Sequence, residues 1–586
     1  MSAGTLTRIV GALAEATGLV GVGLNELVRV GQGRLLGEVL RVSGDVATLQ
    51  VFEDTTGLSV GEPVVREGGP LTIELGPGLL GSVIDGIGRP LSRLAAMTSP
   101  VIQPGVTTST LDRERRFCFV PACARGDRVG PGDVLGSVDE SGFAHRIMMP
   151  PGRSAVVRDV RADETTVADP VVTFEAGPPA TLMQVWPVRR PRPAAARINA
   201  ARPFLTGQRV FDFLFPVAEG GTVAVPGGFG TGKTVIEQAL AKYAEADVVV
   251  YIGCGERGNE MAEVLHDFAT LVDPRSGRAV LDRTVLVVNT SNMPVAARES
   301  SVYVGLTIAE YFRDIGCRVA VMADSLSRWA EALREVGARL QEMPGEEGYP
   351  TSLASRAARL HERAGLVRCL GRPDRTGSVT LISAVSPPGG DFSEPVTQAC
   401  LRVTAALWAL DASLAHQRQF PAIDWETSFS LEASAMARVF DETVDPRWSV
   451  TRARLLDLLQ RDADLRDVAS VVGPEALEDR DRLLLSAAAA AREFVLGQNA
   501  FDPDDAFSPP AKTFVLADAV IRLFDCGLEA IERGLAFSDL ALDDARRALA
   551  ALRDTPAGAR EQALAEVSTA IAGLRRTPAT ESGVHP

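Results

Sequence analysis

The sequence predicts a multidomain α/β fold: an N-terminal β-barrel, a β-rich insertion, a central parallel-sheet domain and a C-terminal helical bundle. Three observations carry this expectation. The chain has 586 residues, which at about 150 per domain calls for roughly four domains. Its texture changes from short alternating runs broken by glycine, to apolar β-branched runs separated by helical periodicity, to helical periodicity alone. Hydrophobic residues make up 46% and charged residues 23%, so large cores can form and general disorder is excluded.

Residues 1–72 are rich in Val, Gly and Thr, and the run GEVLRVSGDVATLQVFE alternates apolar and polar positions. Closely spaced strands with glycine turns predict a small barrel. Segment 73–195 follows, with Gly76-Pro77-Gly78 near its start, and GDRVGPGDVLGSV and IMMPPG are again strand-like and dense in Gly and Pro. It reads as an all-β insertion that ends in a stiff linker, WPVRRPRPAAAR. From 196 to 435, the runs GTVAVP, DVVVYIG, TVLVVNTS, RVAVMAD and GSVTLISAVS alternate with helical segments such as KTVIEQALAKYAEA. Continuous apolar strands between helices predict a parallel sheet covered on both faces. From 436 to 575 strands stop, and RARLLDLLQ, DRLLLSAAAAAREFV and DDARRALAALRD predict packed amphipathic helices. Residues 576–586 are expected to form a disordered tail.

Charge and cysteine usage narrow the function classes. Asp plus Glu exceeds Lys plus Arg by 75 to 60, a net charge of −15, which argues against a protein whose main task is gripping nucleic acid. Seven cysteines, odd in number and with no CxxC pair, and five scattered histidines indicate neither a disulfide framework nor a zinc site. The N-terminus lacks the cationic lead of a secretory signal, and no run approaches the ~20 apolar residues of a membrane helix. A soluble protein of a reducing compartment is expected.

Three motifs carry chemistry. Gly227-Gly228-Phe229-Gly230-Thr231-Gly232-Lys233-Thr234 fits GxxxxGK[ST] between the strand GTVAVP and a helix. Its glycines let backbone N–H groups curl around phosphates, and the helix N-terminus adds positive potential. Lys233 would reach the β- and γ-phosphates, and the Thr234 hydroxyl would ligate Mg²⁺. The apolar run 319–323 ends in Asp324, as a Walker B carboxylate requires at a sheet's carboxyl edge. Gly253-Cys254-Gly255-Glu256-Arg257-Gly258 follows DVVVYIG. Glu256, at the mouth of a strand expected beside that of the glycine-rich loop, can polarise a water aimed at the γ-phosphate. A solvated Glu-Arg pair at a helix start is the equally weighted alternative for this spacing.

These elements, with VFEDTTGLSVGEPV, LGPGLLGSVIDGIGRPL, QVWPVRRPRP, TGQRVFDFLFPVAEGGT, YIGCGERGNEMAEVL, SAVSPPGGDFSEPVTQ, FPAIDW and QNAFDP, resemble the catalytic A subunit (alpha chain) of V/A-type rotary ATPases. The resemblance runs from about residue 25 to 575. It includes the insertion that separates A subunits from the related B and F-type subunits. It implies a RecA-like core that interconverts ATP and ADP plus phosphate with Mg²⁺. By the same resemblance the loop 227–234 and Val235 hold the phosphates, and Glu256 orients the attacking water with Arg257 in support. Asp324 serves the metal, partly through water, and Phe420, Pro421, Ala500 and Phe501 form the adenine slot, although Phe501 also reads as plain helix-end core.

Several positions depart from the family's text: Thr231 where eukaryotic members carry Cys, Leu326 for Thr, and Asp424 and Glu426 for Asn and Leu. The implied partners are a B-type subunit in an alternating A₃B₃ hexamer, central-stalk and peripheral-stalk subunits, and indirectly a membrane rotor that moves H⁺ or Na⁺. An Ala- and Arg-rich composition points to a prokaryote, and so to the cytoplasmic side of the plasma membrane. Two rivals are set aside. Intact Lys233 and Glu256 speak against a non-hydrolysing ring subunit. The acidic balance and the insertion speak against a hexameric motor acting on RNA or exported protein.

Overall fold

The computed structural model describes residues 3–97, 103–500, 502–555 and 560–574. The expected tail, 576–586, lies outside the described residues. Two compact units emerge. The first holds residues 1–200, 219–228 and 245–404, and the second 201–218, 229–244 and 405–586.

In the first unit, strands Ala3–Val10, Leu13–Thr17, Glu26–Val30, Leu35–Ser43, Val46–Val51 and Pro63–Pro70 close into an antiparallel barrel. The alternation predicted from the sequence sends Val28, Val30, Val39, Leu49, Val51 and Val64 inward, because successive side chains face opposite sides of a strand. Among its described residues the insertion carries one short helix, Leu91–Met97, and is otherwise strands and loops. It contains a four-stranded sheet of Arg116–Pro121, Val134–Glu140, Phe143–Met148 and Glu164–Thr166, and a smaller three-stranded one.

The same unit carries the parallel sheet. Its strands run in the order Thr222–Pro226, Thr376–Val385, Arg318–Asp324, Val248–Glu256, Thr284–Thr290 and Val83–Asp85. Val83–Asp85 comes from the segment grouped by sequence with the insertion; three residues are too short to show a periodicity of their own. The order also corrects one expectation. The strand ending at Glu256 is not beside the glycine-rich-loop strand: two strands, 376–385 and 318–324, stand between them. Sequence neighbours need not be sheet neighbours when crossovers skip positions. The helix Val295–Ile315 packs on this sheet and is buried along nearly its whole length.

The stretch read as a linker is a seam of buried charge. Gln184–Pro187 pairs with Thr72–Leu75. Arg189 then bonds Glu38 at 2.9 Å and Glu299 at 2.7 Å, and Arg192 bonds Asp314 at 2.7 Å. An arginine-rich surface spacer and an arginine-rich buried clamp have the same composition; only their partners, about a hundred or more residues away, distinguish them.

The second unit is helical, with Ala433–Thr443, Trp448–Val472, Asp479–Ala491, Pro510–Glu532, Leu542–Arg553 and Arg560–Gly573. Trp448 is its aromatic hub, stacked on Phe440 at 4.3 Å and meeting Phe213 edge-on at 4.9 Å. No helix among the described residues is long and apolar enough to cross a membrane.

Candidate nucleotide-binding and active site

The strand Thr222–Pro226 leads through loop 227–232 into the helix Lys233–Tyr243. Gly230 and Gly232 take φ of 78° and 86°, a left-handed conformation costly for any residue with a Cβ. Space around both is open, so conformation and not crowding demands glycine. Gly232 caps the helix without a side chain, which leaves the first helical N–H groups directed at the loop's concavity. Gly227 N–H donates to Val385 O at 3.1 Å. Thr231 is buried, whereas Phe229 is 84% exposed. Lys233 and Thr234 open the helix.

Within the second unit the loop borders a cavity of about 890 Å³, of the size that encloses a nucleotide-scale ligand. Gly230, Thr231, Gly232, Val235, Phe420 and Ala500 lie on its wall, so six of the thirteen expected phosphate and adenine positions come together. Pro421 is buried beside them, following a cis peptide. Phe501 lies outside the described residues. The wall also includes Arg466, Arg492 and Gln498, which the sequence reading missed. Helical periodicity cannot mark Arg466 and Arg492, and Gln498 lies in the loop after 496, where no periodicity applies.

The acidic groups stand in the first unit. Gly253 and Asp324 are directly opposite in parallel register, so Asp324 and, three residues further along its own strand, Glu256 share one carboxyl edge. Asp324 is buried and accepts a hydrogen bond from Tyr251 Oη at 3.2 Å. A bulge before Glu256 is built on Gly255, whose φ is 76° and whose absent Cβ would lie 2.7 Å from Arg328 Cβ. Such a bulge re-aims the next side chain. Burial, and then the charge of Asp324, push the Glu256 carboxyl up to about 7, against smaller opposing effects of the Ser325 hydroxyl and then Arg328. A carboxylate poised near neutrality suits transient proton acceptance. Arg257 begins the helix Gly258–Thr270 and lies 3.8 Å from Glu260, with its side chain 63% exposed.

The departures fit their places. Leu326 is buried at the start of the helix Leu326–Arg339. Asp424 accepts from the backbone N–H of Glu426 at 3.0 Å, an Asx turn that Asn would also make.

The four parts of the fold each match a family description. Residues 6–68 match the ATP synthase alpha/beta family β-barrel domain and 108–189 the ATP synthase alpha/beta subunit barrel-sandwich domain. Residues 207–430 match the ATP synthase alpha/beta family nucleotide-binding domain, and 437–539 the C-terminal domain of V and A type ATP synthase. A V-type ATP synthase alpha chain of Anaeromyxobacter dehalogenans is 54% identical over 98% of this chain and 97% of its own. The chain belongs to the V/A-type ATP synthase alpha-chain family. The A-type ATP synthase counterpart from Staphylothermus marinus is 48% identical over 94% of both chains. The assembled ATPase EscN of the enteropathogenic E. coli type III secretion system aligns with a TM-score of 0.62 over 88% of this chain. At 23% identity that likeness speaks for the fold alone. Membership makes the chain the catalytic component of an ion-translocating rotary ATPase, with an ATP synthase nucleotide-binding domain.

Proposed function

We propose that this chain interconverts ATP and ADP plus phosphate, with loop 227–234 and Val235 holding the phosphates and Glu256 orienting the attacking water. The observation that carries the reading is the Glu256 carboxyl itself: desolvated, set by a bulge at the carboxyl edge of the strand beside Asp324's, and pushed up to about 7. A carboxylate serving only as a solvated helix-start partner would need neither the burial nor the bulge. Lys233 would neutralise β- and γ-phosphate charge, and Arg257, at the solvent face, would support charge near the γ-phosphate. Phe420, Pro421, Ala500 and Phe501 would receive the adenine.

The Thr234 hydroxyl and, through water, the buried Asp324 carboxylate are the oxygen donors that Mg²⁺ prefers. That ion would spread charge over the transferring phosphoryl group. Glu256, meanwhile, accepts a hydrogen bond from water and aligns its lone pair with phosphorus. The reading further places the chain in an alternating A₃B₃ ring with a B-type subunit, between central and peripheral stalks. The ring would lie at the cytoplasmic side of the plasma membrane, coupled to a rotor that moves H⁺ or Na⁺.

The test is Mg-ATP hydrolysis by the chain reconstituted with its B-type partner, wild type beside Glu256→Gln. Turnover lost with nucleotide binding retained supports the role of Glu256. Turnover that survives moves the water-orienting group elsewhere. A wild-type ring that binds nucleotide yet never turns over marks a non-catalytic ring member.

A further inference from the structure

The base side of the nucleotide cavity is held by a residue that never touches the cavity. Arg209 is 0% exposed, in the segment before the glycine-rich-loop strand. Its guanidinium bonds both carboxylate oxygens of Asp505 and donates to Gly497 O at 2.5 Å. Its backbone N–H donates to Gln498 Oε1 at 2.8 Å. Gln498 returns a bond from Nε2 to Gly207 O at 2.9 Å, and its backbone N–H donates to Phe420 O at 2.7 Å. Asp505 also accepts from Asn499 N–H at 2.7 Å. The loop around Ala500 therefore hangs from the buried guanidinium, and the loop around Phe420 is tied to it through the backbone of Gln498, the residue after Gly497.

The same frame reaches the phosphate end. Tyr243 ends the helix that Lys233 begins, and its ring stacks on Phe507 at 5.8 Å and 30°, two residues beyond Asp505. A path of packed and bonded groups thus runs from the phosphate helix through Phe507 and Asp505 to the base wall.

We infer that Arg209 is a positioning residue which sets the span between the phosphate end and the base wall, and so the cavity's affinity for a nucleoside triphosphate over a bare polyphosphate. The inference rests on the nucleotide-cavity reading above. Only a planar fork can bind a carboxylate with two N–H groups while serving a carbonyl with another; lysine keeps the charge and loses the geometry. Displacing a wall by a fraction of an ångström weakens what it contacts and leaves the distant phosphate grip intact.

The experiment uses the chain reconstituted with its B-type partner, and compares wild type with Arg209→Lys. ATP hydrolysis yields KM and kcat, and inorganic tripolyphosphate as a competitor probes the site without a base. The expected result is a KM for ATP raised about tenfold, kcat within about twofold, and an unchanged inhibition constant for tripolyphosphate. An unchanged KM overturns the inference. So does an equal loss for ATP and tripolyphosphate, the mark of a merely structural role. Should Arg209→Lys fail to fold, Phe507→Leu breaks the stack on Tyr243, off the cavity wall, and carries the same expected split. Lys233→Ala separates the two levels. If ATP turnover and tripolyphosphate inhibition survive it, the cavity reading itself fails. If Lys233→Ala abolishes both and Arg209→Lys changes neither, only the positioning role falls.

Discussion

The carboxylate edge of the first unit and the base-side frame of the second treat buried charge in opposite ways. At the edge, Glu256 stands near Asp324, a like charge, in a desolvated place, and its carboxyl is pushed up to about 7. In the frame, Arg209 and Asp505, at 0% and 1% exposure, meet as a two-pronged pair with further bonds on both sides. The first arrangement gives up stability to hold a group ready for chemistry. The second pairs its charges and makes a support, with only Nε of the Arg209 guanidinium left without a bond. A group kept for chemistry is left beside a like charge, and a pair kept for support is given its counter-charge.

The largest effect that could break this contrast is on turnover. Glu256→Gln is expected to lower kcat by about 10²–10⁴-fold, the range for losing a positioned base, in steady-state hydrolysis by the reconstituted ring. Next comes stability. Asp505→Ala strands a buried guanidinium and should cost about 3–5 kcal/mol, visible as a lower denaturation midpoint of the chain. A loss under ~1 kcal/mol would mean that the pair behaves like a surface ion pair, and the contrast would collapse.

A third measurement sharpens the comparison through pH. In the proposed role Glu256 must be ionised to orient water, so kcat/KM should fall as pH drops below about 7. The stability sign follows from the same shift. The folded-state value lies above the ordinary 4.5, so the folded chain holds this proton more tightly than the unfolded one. Stability contributed by Glu256 is therefore full below about 4.5 and lost as pH rises through about 7. Glu256→Gln should melt higher than wild type at pH 8, with the gap narrowing toward pH 5, whereas Asp505→Ala should melt lower at both. The smallest effect belongs to the loop: Gly232→Ala, forced to a φ of 86°, should cost about 1–2 kcal/mol and weaken tripolyphosphate inhibition.

Much of the fold was legible because its signals are local. Alternation in GEVLRVSGDVATLQVFE marks the barrel, and unbroken apolar runs mark the strands of the parallel sheet. The glycine-rich loop was legible for the same reason, since eight contiguous residues hold both the backbone freedom and the lysine. The strand order was not: nothing in DVVVYIG says that two strands separate it from GTVAVP. Nor was the role of WPVRRPRP, where Arg189 and Arg192 read as a spacer until Glu38, Glu299 and Asp314 face them.

Sequence by itself determined the element types, their succession and the place of the glycine-rich loop between a strand and a helix, because backbone propensity and periodicity act over a few residues. Tertiary structure alone decided that Arg209, Gln498 and Asp505 form one frame and that Glu256 is held near neutrality. Both depend on groups brought together from distant parts of the chain, and on the water that their meeting removes. Desolvation and hydrogen-bond partnership are properties of a place in the fold, and no stretch of sequence contains them.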